Sequence, residues 1–97
     1  MLVALQRFDL RIRVSHSLKQ KRHVVKSLTA AICQRFNVSV SEVDHQDLWQ
    51  RATIAVASVA GQEHHLRQVA SEIRSFVDTW PAVEVLEVEV TVHSPED

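Results

Sequence analysis

Ninety-seven residues, 45% of them hydrophobic and 24% charged, match one soluble domain (1–97) and leave no room for a second core. No apolar run approaches the roughly 18 residues of a helical membrane span, so a membrane protein of that kind is excluded. The net charge of −1 hides a division: positions 10–41 hold seven bases and no acid, and the remaining positions hold four bases and twelve acids. A domain sorted this sharply should attract polyanions on one side and repel them on another.

The chain opens on Met1–Leu5, apolar but followed rather than preceded by Arg7, Arg11 and Arg13, so no signal peptide is expected. One cysteine, Cys33, cannot form an internal disulfide, which fits a reducing cytoplasm. Leu2–Val14 alternates as a long strand, with Leu2, Ala4, Phe8, Leu10, Ile12 and Val14 on the even face and Gln6 as its exception. Arg7, Asp9, Arg11 and Arg13 share the odd face. Ser17 and Gln20 have capping-box spacing before a helix from about Leu18 to Arg35, whose buried stripe should be Leu18, Val25, Leu28, Ile32 and Phe36. A short second strand runs from Val38 to Asp44, then a polar loop, His45–Gln50, that Leu48 and Trp49 should anchor. Ala52–Ala60, apolar on both faces, reads as a central strand.

Gly61 ends that strand, and Glu63 suits the dipole of a second helix that buries Leu66, Val69, Ala70, Ile73 and Phe76 or Val77. Trp80-Pro81 stops it. The last strand, Val83–Val92, slips its alternation between Val85 and Leu86, which predicts a bulge, and Ser94–Asp97 reads as a frayed tail. The order βαββαβ is that of an α+β ferredoxin-like plait, with two helices on one face of a four-stranded antiparallel sheet. Strands one and three should be central, with the acidic last strand beside the first. Arg7, Arg11 and Arg13 should then form a cross-strand ladder with Glu87 and Glu89 on the open face.

The basic helix start is the leading candidate site. Lys19, Lys21 and Arg22 occupy the first turn, where the dipole already disfavours cations, and no acid of the helix relieves them. At about 100° per residue, Lys19, Arg22 and Lys26 fall along one flank. With the Ser17 hydroxyl and free first-turn amides, they supply what a phosphate oxygen needs. The alternative is that the charges are solvated, or neutralised by acids folded against them. His16 and His23 flank the turn and add charge to it when protonated. Arg35, near the helix C-terminus, suits the dipole without a ligand.

The Ser17–Leu28 segment, Arg35–Val40 and Glu42–Ala52 together resemble the YlxP-like family of bacterial proteins, a domain-of-unknown-function family, almost end to end. That resemblance implies a ferredoxin-like plait and no established catalytic residue or cofactor. Members are often encoded beside translation and ribosome-maturation factors, which implies, by association, a role near RNA or the ribosome.

Secondary candidates lie in Asp44, His45, Asp47 and Trp49, where two carboxylates and an imidazole could do acid–base work, although the spacing matches no zinc or catalytic signature and no metal is expected. Asx-turns at the aspartates and an anchoring Trp give the structural alternative. The His64-His65 pair should face solvent and diverge, and Cys33 should be a half-buried structural thiol. No exposed aromatic on the central strands offers the usual stacking surface for single-stranded RNA. Three functions follow: a non-enzymatic module binding structured RNA or the ribosome through Ser17, Lys19, Lys21, Arg22 and Lys26; a protein-interaction or homodimerising module using Val3, Leu5 or an edge strand; and an enzyme built on His45.

Overall fold

The computed structural model describes residues 1–13 and 15–95, and its elements follow the order expected: β1 (Leu2–Ile12), α1 (Leu18–Arg35), β2 (Ser39–Asp44), β3 (Arg51–Ala60), α2 (Glu63–Asp78) and β4 (Val83–His93). The strands form one antiparallel sheet in the order β2-β3-β1-β4, with both long apolar strands at its centre. This is the α+β ferredoxin-like plait.

Period-two alternation decides which face the helices cover. Ala4, Phe8, Leu10 and Ile12 of β1 are buried against Val25, Leu28 and Ile32 of α1 and Ile73 and Val77 of α2. Complete burial of each large aliphatic side chain is worth roughly 1.5–3 kcal/mol, so this layer is the main source of stability. Gln6, the polar exception, is also buried: its Nε2 donates to the Ala70 carbonyl at 2.9 Å, while its Oε1 finds no donor. Phe36, Phe76 and Trp80 close one end of the helix layer, with the Arg35 guanidinium 5.5 Å from the Phe76 ring centre.

The bulge in β4 falls where the alternation slips. Asp9 pairs with Glu87 and Leu10 with Val85, so Leu86 is the extra residue and is turned outward. On the open face Arg7 Nη2 lies 3.3 Å from Glu89 and 3.9 Å from Glu87, and Arg11 meets Glu84 at 3.2 Å rather than the two glutamates expected.

Arg13 is not part of this ladder. β1 ends at Ile12, Arg13 lies in a turn whose N–H donates to the Ala82 carbonyl at 2.8 Å, and the alternation stops one residue before it would have placed Arg13 on the open face. Val14, expected on the even face, lies outside the described residues, as do Glu96 and Asp97 of the expected tail. Cys33 is exposed rather than half-buried, beside the buried stripe of α1, with its Sγ 3.8 Å from the Val38 carbonyl.

Candidate nucleic-acid interface

The start of α1 is capped as its sequence implies. Ser17 has extended backbone angles, its Oγ accepts from the Gln20 N–H at 3.1 Å, and Gln20 Oε1 accepts from the His16 N–H at 2.6 Å. The Lys21 N–H bonds the Ser17 carbonyl. The cap therefore consumes the Gln20 N–H, one of the first-turn donors that an anion could have used.

The four bases beyond the cap divide. Lys19, Arg22 and Lys26 are exposed, and none of them makes an ion pair or side-chain hydrogen bond among the described residues. They line a groove of about 980 Å³ between α1 and edge strand β2, floored by Val25, Ala30 and Val40. Lys19 and His23 form the ridge between this groove and a second, of about 430 Å³, that also takes in Arg13, Ser15, Gln20 and Ala82. Arg13, displaced from the open face, thus joins the basic surface, which sequence reasoning did not anticipate.

Lys21 has the opposite fate and corrects the expectation that it would meet an anion. Its side chain is 0% exposed, and its Nζ sits 2.6 Å from Glu42 Oε2 and donates to the carbonyls of His45 (2.8 Å) and Gln46 (3.3 Å). The Glu42 contact is an ion pair rather than an aligned hydrogen bond, so buried Oε2 lacks a well-directed donor. A detectable signal existed: Lys21, Val25, Leu28 and Ile32 are the buried positions of α1, spaced 4, 3 and 4 apart, so Lys21 lies on the apolar stripe. A four-carbon stem follows that stripe into the interior, and the ammonium is buried because three acceptors await it.

Two of those acceptors, the His45 and Gln46 carbonyls, belong to the 45–50 loop, whose residues take roles other than those expected. Leu48 and Trp49 do not anchor it, being 48% and 50% exposed. Polar contacts do. The Gln50 carbonyl accepts from the Ile12 N–H at 2.9 Å, and Gln50 Nε2 reaches the Ser15 carbonyl at 3.4 Å. His45 takes a left-handed conformation, with φ of 60°, held by its N–H donating to Asp44 Oδ1 at 2.7 Å and by its carbonyl accepting from Lys21 and Leu48. Asp44, the last residue of β2, therefore uses its carboxylate to fix the turn that follows, and Asp47 is exposed.

The His45 ring completes a relay to the sheet. Its Nδ1 is 2.8 Å from Thr53 Oγ1, and Thr53 donates its hydroxyl proton to Asp9 Oδ1, also at 2.8 Å. With that proton committed to Asp9, Nδ1 must be the donor to Thr53, so a neutral ring carries its lone pair on Nε2. The arrangement orients an imidazole and could support proton transfer. The one hydroxyl joined to it, that of Thr53, is buried, none of the grooves described above is lined by it, and no group of three metal-ligating side chains occurs among the described residues. His64 and His65, at the start of α2, are exposed as expected.

Comparison with known proteins agrees with the fold and leaves the chemistry open. The family described as "Protein of unknown function (DUF503)" matches residues 3–90. The "Uncharacterized protein YlxP" of Bacillus subtilis (strain 168) is 35% identical over 68 residues, covering 70% of this chain and 74% of that protein. Among solved structures, the "De novo designed protein Foldit4" aligns over 97% of this chain and 98% of its own with a TM-score of 0.54; at 12% identity the likeness is one of fold alone. No helix among the described residues is long and apolar enough to cross a membrane.

Proposed function

The chain belongs to the DUF503 family of proteins of unknown function, and within it we propose a non-enzymatic, cytoplasmic module that binds the phosphate backbone of structured RNA, on or near the ribosome. The observation that carries this reading is that Lys19, Arg22 and Lys26 share one flank of α1, line one groove and have no acid paired to them among the described residues. Solvated cations usually drift toward nearby carboxylates. Here the one carboxylate in the groove, Glu42, is already engaged by Lys21 from beneath. Lys19 and Arg13 extend the positive surface around the helix start, so successive phosphates could be met on both sides of the Lys19–His23 ridge.

Binding of a fluorescent RNA hairpin, followed by anisotropy between 50 and 200 mM salt, tests this. Affinity should fall steeply with salt, and the combined Lys19→Ala, Arg22→Ala, Lys26→Ala variant should bind at least tenfold more weakly, with a salt slope shallower by about 2–3. Equal affinity of parent and variant would remove the proposal.

A second reading, homodimerisation through the open sheet face, is supported by Leu5 and Val59, exposed beside Val3 on cross-strand neighbours. Sedimentation at high concentration should then give a dimer that Leu5→Lys dissociates; a clean monomer would end this reading.

A further inference from the structure

Resting on the phosphate-binding reading of the α1 flank, we propose that the Leu48–Arg51 pocket, on the loop that Lys21 ties to the start of α1, takes one unpaired nucleobase of the same RNA strand, stacked on Trp49. The ligand would accordingly be single-stranded, or carry a flipped-out base, rather than a continuous duplex. Trp49 is half exposed, the condition in which an indole offers a free face. It lines, with Leu48, Gln50 and Arg51, a pocket of about 380 Å³, a volume suited to one base. Arg51 supplies hydrogen-bond donors at the same pocket. Among the described residues its guanidinium makes no ion pair or hydrogen bond, and its Nε is buried without an acceptor. The exocyclic carbonyl of a pyrimidine or guanine could provide an acceptor for this guanidinium.

The pocket is tied to the basic surface rather than merely near it in sequence. Gln50, next to Trp49, donates to the carbonyl of Ser15, and Ser15 lines the groove shared by Arg13, Lys19 and His23. Lys21 fixes the far end of the same loop to the first turn of α1 through the His45 and Gln46 carbonyls. The indole is thus presented by a loop braced at both ends against the basic turn. Aromatic rings beside unpaired cations are how single strands are held without sequence readout, the cations taking phosphate and the ring taking the base.

The test compares a 12-nucleotide oligouridylate with inorganic polyphosphate, which carries the charge without bases. Trp49→Ala should weaken oligouridylate binding by about fivefold or more, Trp49→Phe should restore most of it, and polyphosphate binding should be unchanged in both. In the Trp80→Phe background, oligouridylate but not polyphosphate should quench the remaining indole fluorescence. If both ligands bind parent and Trp49→Ala equally, without quenching, the base pocket is overturned while the phosphate reading stands. If oligouridylate fails to bind the parent chain while the RNA hairpin binds, the base pocket is overturned and the phosphate reading stands; if the hairpin fails as well, both are overturned.

Discussion

Lys19 and Lys21 stand two residues apart in the same uncapped-for-charge turn, yet one is exposed and unpaired and the other completely buried. About 200° of helical rotation separates them. Lys19, with Arg22 and Lys26, looks outward into the groove beside β2; Lys21 points along the apolar stripe and joins α1 to Glu42 and the 45–50 loop. A basic run is therefore not one functional unit. Its members share a field, but each one's role is decided by the face on which it sits and by which acceptors the rest of the chain brings to that face.

The comparison can be broken most directly at Lys21. Lys21→Met should destabilise the protein by about 3 kcal/mol in urea unfolding, since it leaves Glu42 without its cation, the Gln46 carbonyl without its Lys21 donor, and the His45 carbonyl with one of two donors. Adding Glu42→Leu should recover part of that loss by removing the stranded carboxylate. A cost below about 1 kcal/mol would place Lys21 among ordinary surface cations and dissolve the contrast.

Thr53→Val should be the next largest effect. It leaves Asp9 Oδ1 and the His45 Nδ1–H without their shared partner, while Arg7 stays 3.8 Å from Asp9 Oδ2, for a loss of roughly 1–2 kcal/mol, with Thr53→Ser retaining most of the stability. An unchanged midpoint for Thr53→Val would mean that the relay does not help to hold the loop. The smallest effect is expected where the functional effect is largest. The Lys19, Arg22, Lys26 triple alanine variant should unfold within about 0.5 kcal/mol of the parent, and a slight stabilisation is favoured because cations at Lys19 and Arg22 oppose the dipole. A large loss of stability would show that these side chains are structural and would return them to the class of Lys21.

Local regularities were legible because neighbouring residues enforce them. The strand alternation of β1, the Ser17–Gln20 cap, the Leu86 bulge and the Trp80-Pro81 stop all occur where the sequence places them. The Lys19–Arg22–Lys26 flank was legible too, since it needs only helical geometry. Less regular places were misread for identifiable reasons. Arg13 left the open face because β1 ends at Ile12 and the chain turns onto Ala82. Leu48 and Trp49 resembled loop anchors because large apolar side chains usually bury, whereas backbone carbonyls and Gln50 hold this loop instead.

By itself, then, the sequence determined the order of elements, the buried face of the sheet and helices, and the single stripe of cations beside it. Each of these follows from a period of 2 or 3.6 acting over a few residues. Only the tertiary structure decided that Lys21 pairs with Glu42, that His45 reaches Asp9 through Thr53, that Gln50 bonds Ser15, and that Arg13 lies at the edge of the basic surface. The Lys21–Glu42, Ser15–Gln50 and Asp9–Thr53 contacts join residues 21, 35 and 44 positions apart. No local period encodes them, because their partners meet only after the sheet has brought β1, β3 and the loop before β3 to the start of α1.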